Sequence, residues 1–184
     1  MQILPFSTEP FTAPTDREMQ PSERRAFVRT HRTCVFGTSR RADGPAMSVA
    51  YYVPTDGDEL LVSTLSERSK AKVVARTGKA SLCILDETWP FVYLQVYCDA
   101  TVDDDPDLVV DVMMAVAERI SGTPLTEDAR PVVKAMAEYE QRVVLRCRPY
   151  ATFAQPPRHL HRNDQPDRIS AALPWDAEDT SAPA

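Results

Sequence analysis

The residues best suited to chemistry lie in one stretch, Leu61–Gly78, which reads LVSTLSERSKAKVVARTG. Its hydroxyls Ser63 and Thr64 close an apolar run. Arg68, Lys70 and Lys72 then open a helical pattern, which Ser66 is placed to cap and Gly78 to end. A helix N-terminus carries partial positive charge, so acidic side chains are favoured there and basic ones disfavoured. Basic side chains are gathered here nonetheless. An anion would remove the conflict, because free backbone N–H groups, the helix dipole, hydroxyls and cations would all point at a phosphate. The same run also reads as a solvated basic helix face, with Glu67 partly neutralising it.

Other chemistries lack their residues. The chain has no GxGxxG, GxxxxGK[ST], GxSxG or HExxH. Its three histidines, His31, His159 and His161, are too few and too scattered for a triad or a zinc site, and no metal site is expected. Asp103, Asp104 and Asp105 read as a strand exit and helix cap. The four cysteines, Cys34, Cys83, Cys98 and Cys147, lie apart in apolar surroundings and read as buried free thiols of a reducing compartment.

Composition narrows the class further. The chain has 184 residues, 43% of them hydrophobic, and a net charge of −6. One domain with a real core is expected. Acidity argues against a nucleic-acid partner. No apolar run is long enough to span a membrane, and the N-terminus lacks the pattern of a secretory signal, so a cytoplasmic location is expected.

The elements that must position the basic stretch are mostly strands. Residues 1–20, with Pro5, Pro10 and Pro14, read as an extended arm. Residues 21–32 read as a short helix with Ser22 as a possible cap. Strands are expected at 34–39, 46–53, 60–64, 80–85, 91–102 and 141–150. Asp43-Gly44 and Asp56-Gly57 mark hairpins. Asp105, Pro106 and Gly122 bound a helix whose apolar face runs Leu108, Val112, Val116 and Ile120. A second helix is expected over 127–140, and a mobile tail over 154–184. The closely spaced strands favour a barrel over a βαβ sheet. The fold class expected is mainly β with inserted helices.

The order of these pieces carries a resemblance. The motifs are CVFGTS, PAMSVAYYV, DGDELLVST, SERSKAKVVARTGKASLCIL and PFVYLQVYCDATV. Together they resemble the pyridoxamine phosphate oxidase-like superfamily, and within it the B-type flavin/deazaflavin-dependent oxidoreductases. Arg68-Ser69-Lys70 matches the family's R-x-K, while Lys72-Val73-Val74 departs from its usual Arg-Asn-Leu. The resemblance covers about residues 21–153. It implies a six-stranded split barrel, a homodimer with cofactor sites at the interface, and a small-molecule substrate. Coenzyme F420 is the favoured cofactor and FMN the alternative.

By that resemblance Ser63, Thr64, Arg68 and Lys70 would meet the cofactor phosphate, and Met47, Ser48, Val49 and Ala50 would line its ring. Trp89 or Tyr93 of a partner chain could cover the other ring face. Hydride transfer with a conjugated substrate is the implied reaction, with Ser48, Tyr51 and Tyr52 as candidate proton donors. A non-catalytic cofactor- or haem-binding protein is the alternative. PRHLHR matches the substrate pattern of the vitamin-B6 oxidases only superficially, so pyridoxine phosphate is discounted as substrate.

Overall fold

A computed structural model describes residues 1–7, 11–14, 17–87, 91–154 and 172–180. Eight antiparallel strands form one sheet: β1 (Thr33–Thr38), β2 (Ala46–Tyr51), β3 (Val53–Pro54), β4 (Leu60–Leu65), β5 (Lys79–Asp86), β6 (Val92–Asp103), β7 (Arg142–Ala154) and β8 (Leu173–Pro174). The spatial order is β2-β1-β5-β6-β7-β4-β3, with β8 added to β7. The helices are α1 (Pro21–Thr30), α2 (Ser69–Thr77), α3 (Pro106–Ser121) and α4 (Arg130–Tyr139). The sheet curls, so β2 at one end of the strand order and β4 towards the other line the same cavity. The strands expected as 46–53 are two, because Tyr52 leaves the ladder between β2 and β3.

The curl encloses the larger core. Phe27 and Val28 of α1, Phe36, Leu82, Ile84, Leu94, Val96 and Leu145 are buried there, each large side chain contributing roughly 1.5–3 kcal/mol relative to exposure. A second core lies on the opposite face of β4 and β7. There Leu61 and Val144 meet Val109, Val112 and Ala115 of α3 and Ala137 of α4. Strand β4 is therefore covered on both faces, which explains its continuous apolar run.

Several local expectations shift. Helix α2 starts at Ser69, with Arg68 as N-cap and no side-chain cap. Ser66 instead lies in the preceding turn, its N–H donating to the Gln141 carbonyl. Helix α1 starts at Pro21 after Gln20, whose N–H donates to Glu23 at 2.7 Å. Ser22 is not the cap; it bonds Asp179 through both its N–H and its hydroxyl. A 3-10 turn at Glu127–Ala129 precedes α4. At the hairpins the left-handed backbone falls on Asp43 (φ 72°) and Asp58 (φ 62°), not on the neighbouring glycines.

The apolar face of α3 also differs from its sequence reading. Val109, Val112 and Ala115 are buried, while Ile120 is 58% exposed. A row of every fourth residue turns by about 40° per step around a 3.6-residue helix, so Ile120 has rotated off the core. Asp105 caps the helix as expected, accepting from the N–H groups of Asp107 and Leu108. Gly122 ends it at φ 72°.

The chain ends return to the barrel. Ile3 bridges Thr55, and the Leu4 N–H donates to the Pro54 carbonyl at 2.9 Å. Within the expected tail, residues 173–174 pair with β7, Trp175 packs on the larger core, and Arg25 donates to the Trp175 carbonyl at 2.8 Å. Residues 155–171, with His159 and His161, lie outside the described residues, as does Trp89.

Candidate functional site

The cleft between β2 and β4 holds a cavity of about 370 Å³. Met47, Ser48 and Val49 line it from β2, Ser63 and Thr64 from β4, Arg68 and Lys70 from the start of α2. Seven of the eight residues singled out from sequence are thus brought together. The eighth, Ala50, lines an adjoining cavity of about 400 Å³. Phe36 and Thr38 of β1 and Arg142 of β7 complete the lining. None of the three was singled out as a site residue from the sequence, although Phe36 and Thr38 lie within CVFGTS. Arg142 comes into place because β7 pairs with β4 in a register that sets it opposite Leu65.

The electrostatics of this corner are unbalanced. Lys70 is half-buried, and burial, with help from the Arg68 charge, holds its ammonium below the ordinary lysine range. Its Nζ sits 5.6 Å from the centre of the Phe36 ring. Among the described residues, neither Arg68 nor Lys70 has a carboxylate partner. The thiol of Cys34, buried behind them, is pushed up by that burial and offers no negative charge. Arg142 donates to Glu140 at 2.5 Å and to the Ser63 hydroxyl at 3.3 Å. The arrangement is two uncompensated cations, hydroxyls and an uncapped helix N-terminus, which together suit a phosphate or other oxyanion. Lys72, two residues beyond Lys70, differs: it donates to Glu67 at 2.6 Å on the exposed face.

The candidate proton donors separate. Ser48 lines the first cavity and Tyr51 the second. Tyr52 is removed from consideration, since it is fully buried and its hydroxyl donates to the Val28 carbonyl at 2.6 Å. Burial raises its pKa well above the tyrosine value. Tyr93 sits on β6 opposite Leu85 and lines neither cavity. All four cysteines are free. Among the described residues there is no cluster of metal-ligating side chains and no helix long and apolar enough to cross a membrane.

A curled antiparallel sheet whose ends meet over a basic, hydroxyl-lined cavity has the plan of a split barrel. The chain belongs to the pyridoxamine 5'-phosphate oxidase family, whose model matches residues 21–154. Solved structures share the fold. The conserved hypothetical protein Rv2991 from Mycobacterium tuberculosis is 24% identical with a TM-score of 0.67, covering 83% of this chain and 96% of its own. A heme-binding protein from Mycobacterium smegmatis is 14% identical with a TM-score of 0.57, over 86% and 59% of the two chains. A Clostridium acetobutylicum protein of the pyridoxinephosphate oxidase family, related to general stress protein 26, is 12% identical with a TM-score of 0.56, over 84% and 93%. No curated protein matches the sequence.

Proposed function

We propose that this chain is a flavin- or deazaflavin-dependent oxidoreductase, using coenzyme F420, with FMN as the alternative, on a small conjugated substrate. The carrying observation is that Arg68 and Lys70, neither with a carboxylate partner among the described residues, share one cavity with Ser63 and Thr64, Lys70 being half-buried there. In this reading these four residues hold the cofactor phosphate, and Met47, Ser48, Val49 and Ala50 flank its ring. The bound cofactor supplies hydride transfer. The chain's own residues bind, orient and exclude water. Ser48 or Tyr51 stands where a proton could be donated to the substrate.

The working unit in this reading is a homodimer in a cytoplasmic setting, with the sites at the interface. Met47 and Val49 support it: they are 69% and 75% exposed on β2, an unusual exposure for apolar side chains beside a polar cavity.

Fluorescence titration of cofactor-stripped protein with F420 and with FMN tests the proposal. Binding of either, lost in Arg68→Ala/Lys70→Ala, supports it. Binding of neither returns the basic cluster to a solvated helix face. A carrier without turnover is the second reading, favoured by the family's fold-mate that binds heme. Such a carrier would hold reduced cofactor without passing its hydride to any conjugated acceptor. Among the described residues, the first cavity's lining includes no histidine for haem iron.

A further inference from the structure

Beside the anion-seeking cavity, the adjoining 400 Å³ space has a different chemistry. Met113, Val116, Ala117 and Ile120 of α3 and Val133 and Met136 of α4 form its walls. Its polar groups stand on one side only. Ser63, Lys70 and Arg142, together with Val49, line both cavities, so the two spaces share a wall. Core packing accounts for only part of the apolar lining: Met113 and Val116 pack against the second core, whereas Ile120 and Met136 do not. Helices α3 and α4 already close on the sheet through Val109, Val112, Ala115 and Ala137. Ile120 and Met136, 58% and 47% exposed, are left over from that closure and open onto the cavity.

Building on the cofactor reading above, we propose that the α3–α4 cavity is the substrate compartment and takes an uncharged, largely apolar small molecule. Its volume falls within the range of small-molecule sites, which are mostly apolar with a few placed polar groups. Of the cations at the shared wall, Lys70 is directed at the cofactor in this reading and Arg142 is paired with Glu140, and the helix side offers no charge to balance one on the substrate. Met113 and Met136 are unbranched and polarisable, so the compartment moulds to apolar molecules of related size rather than to one shape. Tyr51 contributes a hydroxyl at its edge.

The test uses the full chain and N-phenyl-1-naphthylamine, a neutral dye that fluoresces in apolar surroundings. The expected result is one dye per chain, retained when FMN or F420 is saturating. In Ile120→Asp/Met136→Asp dye affinity falls about tenfold or more, because charge is placed in the apolar helix wall that the dye would contact. Both positions are exposed, so folding is spared, and Ile120→Leu/Met136→Leu keeps the dye. Cofactor affinity in the Asp variant changes less than about twofold. Equal dye binding by the Asp variant and the wild type would overturn the proposal. So would displacement of the dye by cofactor, which would put the cofactor ring in that space. A wild type that binds no dye and is converted from dimer to monomer by the Asp substitutions would overturn it too, since a second copy then covers the face. Dye binding with the expected loss, in a protein that binds neither cofactor, would sink the oxidoreductase reading alone and leave an apolar ligand compartment.

Discussion

The two ends of β4 treat charge in opposite ways. At its start, Glu59 is buried and accepts from Arg146 at 2.6 and 2.9 Å and from Arg148 at 3.2 Å, while Arg146 also reaches Asp103 at 3.2 Å. At its far end, Arg68 and Lys70 crowd one another with no carboxylate between them. The first cluster closes on itself and needs nothing from outside. The second is a structural cost that a ligand would remove. Glu59 stands just before β4 and is buried, while Arg68 and Lys70 follow it at the start of α2, exposed and half-buried; completeness of pairing is the sharper difference. Buried ion networks are often structural, whereas an unpaired, desolvated cation in a cleft marks a site.

The largest expected effect breaks the unpaired end. Arg68→Ala/Lys70→Ala should weaken cofactor binding by about a hundredfold or more, since hydrogen bonds to charged groups contribute roughly 1.5–3 kcal/mol each. Its Tm should be no lower than wild type. A matching loss of Tm would show that both ends of β4 are structural, and the comparison would collapse.

Breaking the paired end should give the reverse. Glu59→Gln leaves two guanidinium groups short of their carboxylate and should cost about 2 kcal/mol in urea unfolding, discounted for the part-exposure of Arg146. Cofactor affinity of the folded fraction should stay within about twofold.

A smaller effect lies in pH dependence. Lys70 has its folded pKa below the ordinary 10.5. Between the two values the unfolded chain binds the proton and the folded chain does not, so stability from this group rises with pH across that window. Comparing wild type with Lys70→Met by chemical denaturation should show a gap that narrows as pH climbs towards 10.5. Saturating ligand should close the gap at lower pH, because an anion stabilises the charged ammonium. A gap independent of pH and ligand would mean that Lys70 is no more than a packed side chain.

The smallest effect is a control on the same helix. Lys72→Ala removes a cation already satisfied by Glu67 on the exposed face, where such pairs contribute little. Cofactor affinity should change by less than about twofold. A loss equal to that of Lys70→Ala would show that net charge, not unpaired placement, attracts the anion.

Local sequence determined the local backbone. Asp105, Pro106 and Gly122 bound α3 because capping, a fixed φ and a left-handed terminus act within a few residues. Gly78 ends α2 at φ 65° for the same reason. The misplaced base cluster Arg68–Lys70 was visible as a conflict with the helix dipole, and seven of eight proposed site residues converge on one cavity. Ser66 misled as a cap because the helix starts only at Ser69, which leaves Ser66 in the turn before the N-cap Arg68, held there by its N–H bond to Gln141. Arg142, Phe36 and Thr38 were not singled out for the site, since their place in it depends on strand register and on the curl that brings β2 to β4. The docking of residues 172–180 was equally hidden, because it depends on a free edge of β7 and on Arg25 and Ser22 of α1. Sequence fixes conformation over a turn of helix or a hairpin. Only the closed sheet decides which unpaired charges end up facing the same space.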